Sequence, residues 1–316
     1  MRQEHVTYER PPAMAWAILA IALFGVSSGG PLLASMDTPP VLRASWRLWA
    51  TCIVLVPGFI VQLKKSGYEK YNLRNLSLIT LSGFALAIHF AAWTWSLDHT
   101  SLAHSLLFVT SHPIVIVSAM FIIERKADFL LITGACIGFM GAGVALLDAS
   151  DSGSVTYVGD AAAFIGAVAG AAYLAVGRIL RSESKIPLFI YAFPVTTVSA
   201  IILTTLSATF EKTGSSIAAH PFGWIGSEYF LTIAALALGA GLLGHTGLNA
   251  ALRWLPPIII SVGLLFEPIL GSVIGLLLLG TIEVGFWTVL GGVMMIFGAT
   301  ILTFWLESRT EPRSTN

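Results

Sequence analysis

The sequence predicts an all-α polytopic membrane protein of ten transmembrane helices, laid out as a 5+5 inverted repeat. Three observations predict it: ten apolar runs of membrane-crossing length, a one-sided distribution of lysine and arginine, and a likeness between the two halves of the chain. The 316 residues are 56% hydrophobic and 11% charged, with a mean hydropathy of +0.82, whereas soluble domains carry about 25% charge. The runs fall at 14–35, 38–61, 76–97, 101–121, 130–148, 157–178, 188–209, 229–251, 256–279 and 286–306. Each is close to the roughly 20 residues that carry a helix across a bilayer core.

Charge orients the runs. With ten helices and a cytoplasmic N-terminus, the cytoplasmic side holds fourteen basic residues: Arg2, Arg10, Lys64, Lys65, Lys70, Arg74, Arg125, Lys126, Arg178, Arg181, Lys185, Arg253, Arg309 and Arg313. The opposite side holds Lys212, and Arg43 and Arg47 fall inside the second run. That bias is the one the positive-inside rule demands, and one helix more or fewer scrambles it. The expectation is a multi-pass protein, here assigned to the plasma membrane, with cytoplasmic tails at 1–13 and 307–316. Residues 14–148 form a first repeat and 157–306 a second. Trp16, Trp254 and Trp305 then fall near cytoplasmic ends and Trp93, Trp95 and Trp287 near outer ends, where indoles prefer to sit.

The elements follow in order. The first run is longer than a signal-peptide core and is expected to stay as a helix. The second, 38–61, carries Arg43 and Arg47 on one face, four residues apart. Arg43 lies near the outer end and can snorkel to headgroups. Arg47 lies about 12 Å further in from Pro39, suited either to a pocket or gate or to helix-end carbonyls. In the third run His89 and Trp93 share a face by the same spacing, lining a cavity or packing in the core. The fourth contains "LLFVTSHPIVIVSAMFIIERK", with His112 before Pro113, and the fifth "GACIGFMGAGVALL". The sixth offers a "GAVAG" stripe and the Tyr173 hydroxyl, and the seventh has no chemistry-bearing motif. The eighth, "GAGLLGHTGLNAA", sets His245 and Asn249 on one face, Asn249 serving as substrate contact or as interhelical glue. The ninth, "SVGLLFEPILGSVIGLLLLG", puts Glu267 before Pro268, and the tenth contains "GGVMMIFGATIL". The small-residue stripes read as close helix packing.

The halves match. Gly134 and Gly141 are spaced as Gly291 and Gly298 are, at an offset of 157, and His112–Pro113 corresponds to Glu267–Pro268 at 155. Five helices per half is an odd number, so the halves insert in opposite orientations, the plan of many secondary transporters. His112 lies eleven residues past Ser101 and Glu267 eleven past Pro256, each roughly 16 Å along its helix and so near the midplane. A charge there costs at least about 2.5–3.5 kcal/mol. The proline after each removes a backbone donor and displaces a carbonyl one turn back, tolerable at that depth only beside protein or cavity water. The two stretches therefore read as symmetry-related walls of one central site. Plain kinks, with polar groups bonded to neighbouring backbone, are the alternative.

The chain resembles the drug/metabolite transporter superfamily, in its EamA-like branch. The residues that carry the resemblance are Arg47 in "SWRLWA", the fourth-run stretch "HTSLAHSLLFVTSHPIVIV", Glu124, "LLITGACIGFMGAGVALL", "AAYLAVGRIL" and "LLFEPILGSVIGLLLLG". It spans about residues 14–306. Two features depart from the family pattern: Thr281 stands where a glutamate is usual, with Glu283 two positions on, and Pro113 to Glu124 is two residues short. The resemblance implies a 5+5 inverted repeat that moves small organic solutes by alternating access, with helices five and ten outside the cavity.

The expected function is thus secondary active transport of a small polar or zwitterionic solute, with a proton gradient as one means of driving it. Glu267, His112, Arg47, His89, Trp93, Tyr173, His245 and Asn249 are the candidate substrate-binding or coupling residues, and Pro113 and Pro268 the helix distortions. No catalytic residue, metal site or cofactor is expected, nor a nucleic-acid partner; the lipid bilayer and a small molecule are, and a homodimer is left open. Cys52 and Cys136 lie inside predicted runs and give no disulfide framework. The competing readings are a non-transporting receptor or assembly subunit on the same fold, and a membrane-embedded enzyme with metal on the histidines and Glu267. The second lacks an HExxH or paired-acid motif.

Overall fold

The computed structural model describes residues 8–9, 11–100, 102–124, 128–145, 147, 157–211, 220–279, 286–308 and 310–311. The expectations that fall on Arg125–Lys126, Lys212, Thr281 and Glu283 lie outside them. The protein is an all-α membrane protein. Six helical stretches are long and apolar enough to cross a membrane: Ala13–Ala34, Pro40–Ser66, Leu73–Leu97, Tyr157–Glu183, Leu188–Phe210 and Phe230–Ala251. Four shorter apolar helices span Ser105–Met120, Phe129–Gly141, Pro257–Gly271 and Val289–Leu302. Near the chain ends, Tyr8–Glu9 pairs in parallel with Thr310–Glu311.

Several runs are broken inside. The first is α1 (Ala13–Ser27) and α2 (Gly29–Ala34), interrupted at Ser28. The second and third are the unbroken α3 (Pro40–Ser66) and α4 (Leu73–Leu97). The fourth is α5 (Leu102–Val109) and α6 (His112–Glu124), followed by α7 (Phe129–Ala145). In the second half come α8 (Tyr157–Arg178), which runs into a π-helical turn, and α9 (Leu188–Phe210). The eighth run is α10 (Phe230–Leu236), a π-helical segment over Ala237–Thr246, and α11 (Gly247–Ala251). The ninth is α12 (Pro257–Leu264) and α13 (Glu267–Leu279), and α14 covers Phe286–Glu307. The two proline breaks have the same cause. Val109 and Leu264, which end α5 and α12, stand four residues before Pro113 and Pro268, where the proline ring displaces the carbonyl.

Packing is between antiparallel partners. The α7–α14 pair is set by glycines: a Cβ at Gly141 would lie 2.7 Å from the Gly291 carbonyl oxygen, and one at Gly298 2.7 Å from that of Gly134. The backbones touch, as small-residue stripes allow. In the same way Gly25 of α1 abuts Gly244, and Gly166 and Gly170 of α8 abut His89 of α4.

The α3–α9 pair is closed at both ends by reciprocal caps. Pro40 opens α3, and the next two amides, Val41 and Leu42, donate to the Glu211 carboxylate at the end of α9, at 2.7 and 2.9 Å. At the other end Pro187 precedes α9, and the Phe189 amide donates to Gln62 Oε1 of α3 at 2.7 Å. Each helix thus satisfies amides that its partner's first turn leaves orphaned. Glu211→Ala is expected to cost about 1 kcal/mol, as loss of a helix cap does, read as a lower thermal midpoint in detergent. Glu211→Gln, which copies Gln62, should recover most of it.

Two expectations need correction. Arg43 does not reach the headgroups: it is 2% exposed, forms an ion pair with Asp98, and donates to the Met36 and Thr94 carbonyls. An acid at the end of α4 gives it a nearer partner than lipid phosphate. Trp93 and Trp305 are not interfacial anchors, being 4% and 3% exposed; each packs inward because its helix face is covered by another helix.

Candidate functional site

One cavity lies where the broken helices meet. Its lining includes Arg47 from α3, His89 and Trp93 from α4, His112 from the start of α6, Tyr173 from α8, His245 from the π-helical segment and Glu267 from the start of α13. The structure thereby brings together seven of the eight sequence-derived site residues around one space. The eighth, Asn249, lines a smaller adjoining cavity shared with Arg47, Tyr173 and His245. Of its two readings, the structure gives it the interhelical bond: its Oδ1 accepts from the Tyr173 hydroxyl at 2.8 Å. Tyr173 therefore offers the cavity its ring rather than a free hydroxyl.

Each side chain is held by its helix in a way the local sequence explains. His112 and Glu267 are the first residues after the two proline breaks, so both stand at helix N-termini inside the fold, where the dipole is positive. His89 Nδ1 lies 2.8 Å from the Gly166 carbonyl oxygen. A carbonyl only accepts, so Nδ1 carries the proton and a neutral ring keeps its lone pair on Nε2. The His89 ring centroid is 6.0 Å from that of His112 and 6.2 Å from that of His245. Gly170 makes room for two of the rings: a Cβ there would meet His112 Nε2 at 2.5 Å and His89 Nδ1 at 2.9 Å.

Arg47 is the most unusual member. It is 1% exposed, its guanidinium carbon lies 4.4 Å from the Phe90 ring centroid, and its Nε and Nη1 have no hydrogen-bond partner. Cation–π contact contributes ~2 kcal/mol or more when desolvated, and it satisfies neither N–H. Among the described residues no carboxylate, Glu267 included, lies within 4.0 Å of the guanidinium. Trp93 Nε1 and His245 Nδ1 are likewise buried without partners. The cavity has a volume of about 40 Å³, room for a few waters.

Chemically the site offers one cation, one acid, three imidazoles and two aromatic rings around one cavity. Among the described residues no three or more His, Cys, Asp or Glu side chains converge closely enough to hold a metal ion. Sequence reasoning missed Phe90 and Gly170. It also missed that His89 and His245 correspond at an offset of 156, between the offsets of the proline pair and the glycine pair. That signal was readable. Phe90 had none, because its role depends on how α3 crosses α4.

Compared with known proteins, the chain matches no family model, and no curated protein matches it. Its fold is similar to that of a solved crystal structure described without a function, with a TM-score of 0.73 at 15% identity over 94% of this chain and 98% of the other. At that identity the likeness is one of fold alone.

Proposed function

We propose that this chain is a secondary transporter of a small polar or zwitterionic organic solute, built as ten spans in a 5+5 inverted repeat of the drug/metabolite transporter, EamA-like type. The observation that carries the reading is the meeting of Arg47, Glu267, His89, His112 and His245 on one cavity at the breaks of the fourth and ninth runs. Intramembrane ionisable groups that face a cavity mark a solute or ion path by default. Transporters of inverted-repeat design place such sites at discontinuous helices.

The packing supports the repeat. Exchanging each run with its counterpart five runs later maps the α4–α8 contact onto that between α1 and the 229–251 run. The α3–α9 and α7–α14 contacts map onto themselves. The paired glycines of α7 and α14, and the reciprocal caps of α3 and α9, are what a two-fold axis in the membrane plane produces. The cavity is too small for most metabolites in this conformation, so loading requires the helices around it to part. In this reading both tails face the cytoplasm and the plasma membrane is the site of action.

The test is uptake. Full-length protein is purified in detergent and screened against metabolites by thermal shift, since a ligand that binds the folded state raises its midpoint. Hits are then followed as labelled solute into proteoliposomes, with and without an imposed pH gradient. Hits that bind and are never taken up would favour the receptor reading instead. Topology gives an independent check. An impermeant thiol reagent applied to intact cells should label a cysteine introduced at Asp151 and miss one introduced at Lys65. The reverse pattern would remove the inverted-repeat assignment.

A further inference from the structure

The cavity-lining residues with buried polar atoms left unpartnered are Arg47, Trp93, His112 and His245. Arg47 Nε and Nη1, Trp93 Nε1 and His245 Nδ1 are all buried and unpartnered, and the indole and guanidinium nitrogens can only donate. A neutral His245 can place its one proton on Nδ1, which completes the set. Glu267 shares the cavity with Arg47 but gives it no direct ion pair, and buried N–H groups left unbonded are costly, so these donors suit an acceptor that arrives from outside the protein. Nε and Nη1 face different sides of the guanidinium, so each can take its own anionic oxygen through a charge-assisted hydrogen bond. Nη1 also lies near Gly29 at the α1–α2 break, 3.7 Å from where a Cβ would stand. Glu267 lines the same cavity and limits the charge. A second negative group on the ligand would face that carboxylate in a space of low dielectric, where like charges repel strongly.

We infer that Arg47, with Trp93 Nε1 and His245 Nδ1, forms a binding subsite for the carboxylate of a monocarboxylate ligand. This rests on the transport reading for its purpose, but the binding step is separable from it. Water can occupy the same donors; it brings no charge, and the experiment turns on that difference.

The experiment compares acetate, acetamide and inorganic phosphate as probes, at constant chloride and ionic strength, on full-length detergent-purified protein. Acetate should raise the thermal midpoint by about 2–4 °C at a few times its dissociation constant. Acetamide, of the same shape without the charge, and phosphate, with too much charge, should not. Glu267→Gln should enlarge the acetate shift by removing the opposing carboxylate, and Arg47→Gln should abolish it. Equal shifts with acetate and acetamide would overturn the subsite, as would an acetate shift that survives Arg47→Gln. If Arg47→Gln does not fold, the acetate–acetamide difference in the parent and its growth in Glu267→Gln decide the matter. Acetate bound through Arg47 by a protein that takes up no solute would leave the subsite standing and remove the transport reading. Solute uptake with no preference for carboxylates would do the opposite.

Discussion

Arg47→Gln should cut solute uptake roughly 10- to 100-fold while leaving the thermal midpoint at or above the parent's. Arg43→Gln should do the reverse, lowering the midpoint more than it lowers uptake per folded molecule. The two arginines share a helix and a face, are both almost fully buried, and differ in what they hold. Arg43 binds Asp98 and three backbone carbonyls, so its loss strands buried acceptors at a cost of about 1–3 kcal/mol. The figure stays below the ~3–5 kcal/mol of a fully buried pair, because the Asp98 side chain is 35% exposed. Arg47 Nε and Nη1 have no hydrogen-bond partner, so its removal strands no acceptor there, and the Phe90 contact it gives up is offset by no longer burying the charge. In the proposed transport reading, what it does remove is a charge-assisted contact to the solute, worth about 1.5–3 kcal/mol, or roughly one to two powers of ten in affinity. Initial uptake rates at matched amounts of protein, set beside thermal midpoints, read both effects. If the two variants fall together on both measures, partnering is not what separates these residues.

Much of this architecture was legible one helix at a time. Apolar length located the runs, the proline pairs located two of the breaks, and the spacing of Gly134 and Gly141 against Gly291 and Gly298 anticipated a relation that appears as direct backbone contact. Residues four apart on a helix share a face, so Arg47, His89 with Trp93, and His245 were legible as candidates for the interior. What stayed hidden needed two helices at once. Arg43 reads as a headgroup anchor until Asp98, 55 residues later, is brought to it. Asn249 reads equally as ligand contact and as glue until the Tyr173 hydroxyl reaches it. The caps at Glu211 and Gln62 span 170 and 127 residues and carry no local pattern. The break at Ser28 and the π-helical stretch over Ala237–Thr246 have no proline to announce them. They arise where glycine-rich segments of α1 and the eighth run press backbone against backbone.

Glu267→Gln carries the other large expected effect: loss of accumulation driven by a pH gradient, with binding and solute exchange retained. Glu267 is the sole acid lining the cavity among the described residues, and it stands on the first turn after a proline break. A carboxyl group in that place can take a proton when the cavity opens to one side and release it when the cavity opens to the other. The amide is nearly isosteric and costs less to bury than a carboxylate, so the variant should fold. It cannot carry a proton, so the inside-to-outside solute ratio under an imposed gradient should fall to about one, while counterflow of labelled against unlabelled solute continues. His112→Asn should be milder. The imidazole stands before a proline as Glu267 does, 155 residues earlier, but it is one of three rings in the cluster and an amide can replace it as a hydrogen-bond donor. The decisive comparison is accumulation against exchange in the same vesicles. Should the glutamine variant concentrate solute as the parent does, Glu267 is not the coupling group, and the paired breaks at 112 and 267 serve packing and access instead. Should it lose exchange as well, the carboxylate is a ligand for the solute rather than for the proton, and the cationic group it binds would lie opposite the one held by Arg47.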